Sequence, residues 1–275
     1  MRNLLMIIKN ISKSLIDYFP PILLILIKKI LLNRYYPYTF IKRFKSYNEC
    51  LSFSEKTTHY LNNQLDQKLL KKIEDHKEVE VNNYFYIAPI IFAMGGVNNN
   101  NTILEIGGGL NPIYSYIKQS TGKKIKNLIL ERKDLVDAIQ KKKINNNKNY
   151  IKYIYNLEQI KIKKIDYVLF SNSIQYVVDY KKLLHKIFSF NPKYISINNT
   201  FFTSLKKSFY TLQVNMPPSM FPNKFFSFFL LKEIFKKNGY QVIFMTRRKF
   251  LYKYKFNLKE KEKIFISDIL FKKIN

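Results

Sequence analysis

Along the first 95 or so residues, apolar side chains return every three to four positions, as in Leu61, Leu65, Leu69, Leu70 and Ile73. That spacing lays them on one face of a helix, and it predicts a mainly helical segment. The polar tract Val97-Asn98-Asn99-Asn100-Asn101 interrupts the pattern as a loop, so the chain divides into segments 1–97 and 98–275. Beyond the loop, short apolar runs alternate with amphipathic stretches. Thr102–Ile106, Asn127–Glu131, Tyr150–Tyr155, Ile165–Phe170 and Lys193–Ile197 read as buried strands. Helices are expected up to Ile117, over Leu135–Lys143, Tyr180–Phe188 and Lys224–Asn238, with a surface turn at Asn145-Asn146-Asn147. Tyr240–Thr246 and Phe250–Phe256 read as a closing antiparallel pair. Strand and helix in alternation imply an α/β fold, a doubly wound, mostly parallel sheet covered on both faces, preceded by the N-terminal helical segment.

The most apolar stretch, Pro20 to Ile27, stops at Lys28-Lys29, well short of the ~20 residues a spanning helix needs. Residues 1–19 mix apolar positions with Lys9, Lys13 and Asp17, and no small-residue cleavage site follows a clean apolar core. A basic, bulky start of this kind suits two roles, a helix lying on an anionic membrane surface or a lid on the α/β domain. The expected location is cytoplasmic, with peripheral contact at the inner membrane face as an option.

A chain of 275 residues that is 47% hydrophobic is long and apolar enough to bury a full core. Its net charge of +29 invites a polyanion partner, since many phosphates could be neutralised together. Yet only six of the 48 basic residues are arginine, whose forked guanidinium nucleic-acid sites favour. The lysines also accompany an excess of Asn, Ile, Tyr and Phe, so a solvated lysine surface is the better reading and nucleic acid is not an expected partner. The single cysteine, Cys50, excludes an internal disulfide and fits a reducing compartment. His59, His76 and His185 are scattered, which leaves no cluster for a metal ion.

Candidate chemistry gathers around the few glycines. Three of the seven, Gly107-Gly108-Gly109, are consecutive and follow a buried strand that ends in an acid, Glu105, and an apolar residue. A glycine turn there lets the backbone approach a bound nucleotide, and the next helix offers unpaired N–H groups. A plain strand-to-helix turn is the alternative, although such a turn seldom needs three glycines. Glu131 ends the second predicted strand, where a carboxylate can accept hydrogen bonds from both ribose hydroxyls; a surface ion pair with Arg132 or Lys133 is the plainer option. A dinucleotide site would favour G-x-G-x-x-G, but the position three after Gly109 is Pro112, which disfavours a nicotinamide-linked oxidoreductase.

Glu105-Ile106-Gly107-Gly108-Gly109 resembles instead the first motif of class I S-adenosyl-L-methionine (SAM)-dependent methyltransferases, a Rossmann-like family. The resemblance implies SAM as cofactor, with the acid near its amino-acid end and Asn111 where a third glycine usually stands. A finer likeness follows in Ser171-Asn172-Ser173-Ile174-Gln175-Tyr176 with Asp179-Tyr180, similar to a family of methyltransferases often encoded with bacterial surface-polysaccharide genes. Pro20-Pro21-Ile22, Ser46-Tyr47-Asn48-Glu49-Cys50, Tyr210-Thr211-Leu212-Gln213-Val214, Phe221-Pro222 and Phe225-Phe226-Ser227 agree in order, so the likeness spans roughly residues 20 to 246. Asn199 stands where that family often has an arginine before the threonine, here Thr200.

Read physically, Ser173, Gln175 and Tyr176 follow the fourth strand at the crevice edge and offer hydrogen bonds to a hydroxylated acceptor, with Thr200 after the fifth strand. Tyr176 equally suits stacking on the helix beneath. No residue stands out as a general base, and His185 sits in an amphipathic helix with Leu183, Leu184 and Ile187. The expectation is a SAM-dependent methyltransferase, acting by O-methylation on a small-molecule or glycan acceptor. The runner-up is a non-catalytic nucleotide-fold protein that binds a membrane surface or polyanion.

Overall fold

A computed structural model of the chain describes residues 39–53, 90, 93, 95–109, 112–141, 149–162, 164–215, 219–250, 252–258 and 262–274. The helical run expected at Leu61–Ile73, the apolar stretch Pro20–Ile27, His59, His76, Asn111 and the turn at Asn145–Asn147 lie outside these residues.

In chain order the elements are β1 (Thr39–Phe44), α1 (Tyr47–Phe53), β2 (Thr102–Ile106), α2 (Ile113–Thr121), β3 (Lys126–Leu130), α3 (Lys133–Lys141), β4 (Ile151–Ile154) and β5 (Tyr167–Ser171). Then come α4 (Tyr180–Ser189), β6 (Tyr194–Thr203), β7 (Phe209–Asn215), β8 (Ser219–Ser227), α5 (Phe228–Lys237), β9 (Tyr240–Met245), β10 (Arg248–Lys249), β11 (Lys253–Lys255) and β12 (Ile264–Lys273). Single 3-10 turns cover Leu157–Gln159 and Ile174–Tyr176.

The main sheet has the order β4-β3-β2-β5-β6-β12-β9; β2 to β6 are mutually parallel and β12 is antiparallel to both its neighbours. Chain direction across the sheet reverses between β2 and β5, the switch point at which α/β sheets open a crevice. Successive residues of one strand serve opposite faces. Ile103 and Ile129 pack with Ile113, Tyr114 and Ile117 of α2, whereas Leu104 and Phe170 pack with Leu184 and Ile187 of α4 and Leu231 and Phe235 of α5. With both faces covered, the strands read as continuous apolar runs, and that is why their positions were legible in the sequence.

A second sheet, β11-β1-β7-β8, branches from the first. Strand β6 is long enough to do both jobs: Tyr194 to Asn198 pair with β5, and past the end of β5, Phe202 and Thr203 pair with Phe226 and Ser227 of β8. Its core is aromatic, with Phe209 stacked on Phe225 at 5.0 Å and Phe40 edge-on to Phe225 at 5.5 Å.

Four sequence expectations change here. The strand expected to end at Ile197 continues to Thr203, so Thr200 lies within it and not after it. The helix expected from Lys224 starts at Phe228, because residues 224 to 227 pair with β7 and β6 and Ser227 caps the helix by accepting the Leu230 N–H. The partner of Tyr240–Met245 is Ile264–Lys273, not Phe250–Phe256; Lys253–Lys255 pairs instead with β1. Strand β1 itself lies inside the segment expected to be mainly helical, and it joins the second sheet between β7 and β11.

Candidate functional site

A cavity of about 620 Å³ opens at the carboxyl ends of β2, β3 and β5. One half is walled by Ile106, Gly107, Leu130, Glu131, Arg132, Tyr155, Asn172 and Ser173; the other by Tyr47, Leu51, Tyr176, Val177, Leu183, Phe221 and Pro222. The first half is polar backbone and carboxylate at the switch point. The second is mainly apolar and aromatic.

The glycine turn is shaped by its neighbours as much as by any ligand. Gly107 has φ +69°, and a Cβ there would lie 2.5 Å from Ser173 Cβ. The Ser173 hydroxyl donates to the Ile106 carbonyl at 2.5 Å, tying the exit of β5 to the end of β2. At Gly108 a Cβ would fall 2.5 Å from Glu105 Cδ. Glu105 therefore sits under the turn, 2% exposed, and accepts the N–H of Ile113 at the start of α2 at 3.0 Å. It does not line the cavity. Its Oε2 is held by the first turn of α2, beneath the glycine turn, where the resemblance implied contact with a methionine end. Burial pushes its pKa up to about 7, against the opposing effect of the Ile113 N–H and the Asn127 side chain.

Glu131 follows β3 and lines the cavity. Its Oε1 accepts the Gly109 N–H at 2.8 Å and its Oε2 the Arg132 N–H at 3.2 Å. Each carboxylate oxygen has two lone pairs, so capacity remains for a ligand hydroxyl. Burial raises the Glu131 pKa, and the two backbone N–H groups and the Arg132 charge oppose it. Arg132 itself pairs with Asp134 at 3.2 Å.

The predicted acceptor residues separate into two groups. Ser173 and Tyr176 line the cavity, and the Tyr176 hydroxyl donates to Gln213 Oε1 at 3.2 Å while its ring stands edge-on to Phe221 at 5.3 Å. Gln175 and Thr200 are 1% and 0% exposed and are not on the cavity wall. Gln175 Nε2 donates to Asn172 Oδ1 at 2.6 Å, and Gln175 Oε1 accepts from the Thr200 hydroxyl at 3.2 Å. These bonds hold Asn172, which has φ +53°, at the cavity edge. Asn199 turns the other way, its N–H donating to Asp268 and its side chain accepting from Arg248. His185 lines a shallow groove between α4 and α5, apart from the cavity. Among the described residues no group of three or more His, Cys, Asp or Glu could hold a metal ion.

Tyr47, Leu51, Tyr155, Phe221 and Pro222 were not singled out as site residues. Two signals were available, for Ser46–Cys50 and Phe221-Pro222 are both stretches of the family likeness, and the fold brings them to the same cavity.

No protein-family model matches the chain, and no curated protein matches it in sequence. Solved structures do resemble it. LepI, solved with SAH and a substrate analogue, superposes with a TM-score of 0.50 at 12% identity, over 91% of this chain and 63% of LepI. The 1,6-didemethyltoxoflavin-N1-methyltransferase of Burkholderia thailandensis, with bound S-adenosylhomocysteine, gives 0.45 at 13% identity, over 79% and 91% of the two chains. Magnesium protoporphyrin IX methyltransferase of Synechocystis, also with SAH, gives 0.47 at 11% identity, over 77% and 97%. With the strand order above, the chain has a Rossmann-like α/β fold.

Proposed function

We propose that the chain is a SAM-dependent methyltransferase acting on a small-molecule acceptor, and more finely an O-methyltransferase of a carbohydrate-linked acceptor. One observation carries the reading: the glycine turn after β2 and the carboxylate after β3 face one cavity at the switch point. Its volume of about 620 Å³ is within the ~300–1,000 Å³ usual for small-molecule and cofactor sites. The donor set fits SAM, with the Gly107 backbone open to close approach, a carboxylate for a ribose diol, and Leu130 and Tyr155 as apolar walls for a flat base.

SAM supplies a methyl group on a positively charged sulfur, a leaving group already activated, so the protein's share is positioning and exclusion of water. Glu131 orients the ribose by accepting its hydroxyls. Ser173 and Asn172 hold the wall between the two halves, and Tyr176 and Phe221 dry the acceptor side. The proton of an acceptor hydroxyl would pass to water at the cavity mouth, since no described side chain is assigned to take it. The lysine-rich surface remains the support for a membrane-facing role, and no described helix is long and apolar enough to cross a bilayer.

Calorimetric titration with SAM and S-adenosylhomocysteine tests the reading. Micromolar binding is expected, weakened by one to two orders of magnitude in Glu131→Ala, because a lost charge-assisted hydrogen bond is worth about 1.5–3 kcal/mol. A folded protein that binds neither compound overturns it.

A further inference from the structure

Lys224 is the buried charge to which methyl transfer assigns no task. The residue is 8% exposed, on β8 opposite Tyr210 of β7. Its Nζ lies 4.1 Å from the ring centroid of Tyr210, 4.9 Å from that of Tyr180 and 5.8 Å from that of Phe226. Among the described residues it makes no hydrogen bond and no ion pair. Burial, and after it the charge of a second cation, Lys181, lowers its pKa to about 8. Asp179, the acid at the head of α4, is engaged with the Lys182 N–H.

Aromatic faces attract an ammonium ion but offer its three N–H donors no strong acceptor. Burying a charge without a counter-ion is costly. Among the described residues no acid pairs with this cation, and although Lys224 is not itself on the cavity wall, its strand reaches it. Pro222, two positions earlier on the same strand face and about 7 Å away along an extended chain, lines the acceptor half. Tyr47, on the same wall, meets Tyr210 edge-on at 6.1 Å.

We propose that Lys224 binds an oxyanion carried by the acceptor, a carboxylate or a phosphate on a small apolar body. The apolar body rests against Tyr47, Phe221 and Pro222, and the oxyanion supplies the acceptors and the countercharge that no described residue gives Lys224, with Lys181 adding to the attraction. A neutral sugar would bring hydroxyls but would leave the two cations uncompensated. This assignment rests on the reading of the cavity as a methyltransferase site, but its test separates the two.

The full chain is titrated with benzoate and with phenyl phosphate, each with and without S-adenosylhomocysteine, and compared with Lys224→Met. At least one probe is expected to bind, and the tighter of the two identifies the oxyanion. Lys224→Met should weaken it at least tenfold, hold S-adenosylhomocysteine affinity within twofold, and not lower the thermal midpoint, since an uncompensated buried charge has been removed. Both probes stay ionised above pH 8, so affinity should fall there as the ammonium deprotonates. If neither probe binds the wild type, or if the folded variant binds as tightly, the assignment is overturned. Lys224-dependent probe binding without S-adenosylhomocysteine binding would leave the anion site standing and remove the cofactor reading instead.

Discussion

At Gly107 two constraints coincide, a φ of +69° and a Ser173 Cβ that would stand 2.5 Å from any added methyl. Gly109 shares the first, at +58°, but among the described residues nothing lies within 4 Å of its Cβ position. The pair therefore separates backbone strain from crowding. Gly109→Ala should cost ~1–2 kcal/mol, the penalty of a left-handed residue. Gly107→Ala should cost ~1–3 kcal/mol more, because Ser173 is fixed to the Ile106 carbonyl and overpacking of a fixed site adds that much. Urea denaturation of both variants measures the difference, and equal losses would remove the crowding argument. The three glycines were conspicuous in the sequence as a cofactor turn. That Ser173 and Glu105 impose two of them became visible only once β2 and β5 lay side by side.

Among the elements, β1 is held to the rest by more than its ladder. Arg43 donates to Glu262 at 2.6 Å, its guanidinium stands 4.4 Å from the Phe209 ring centroid, and Glu262 also accepts from Thr203. The Glu262 side chain is fully buried, so this ion pair joins β1 to the chain entering β12. Removing one member leaves the other's charge short of its partner, which typically costs ~3–5 kcal/mol, whereas apolar replacement of both is often near neutral. Arg43→Met should accordingly lower stability by that order, and Arg43→Met with Glu262→Met should recover most of it, as read from denaturant midpoints. Additive losses would show that the ion pair is not what couples the elements. Neither residue was prominent in the sequence, for 219 positions separate them and only the second sheet makes them neighbours. The phenylalanine-rich run through Phe225, Phe226 and Phe228 was misread for a related reason. Its composition suits strand and helix alike, and pairing with β7 and β6 decided where one ended and the other began.

Over the whole molecule the charge is far from balanced, at +29, and surface ion pairs such as Lys186–Glu158 offset little of it. Self-repulsion of like charge disfavours the compact state, and salt screens it over a Debye length of ~10 Å at 0.1 M. The thermal midpoint should rise as sodium chloride is taken from roughly 20 to 300 mM, a range over which surface charges become screened. A flat or falling midpoint in a calorimetric scan would show that the lysines repel too weakly to matter. The sequence by itself determined the parallel sheet, the glycine turn and the carboxylate after β3, because strands buried on both faces must be apolar throughout and a turn at the switch point needs special backbone. Only the tertiary structure decided that Gln175 and Thr200 brace the wall while Tyr47, Phe221 and Pro222 face the cavity. It also decided that Lys224 lies buried among aromatic rings. Those roles depend on which distant strands meet, and local periodicity carries no record of that.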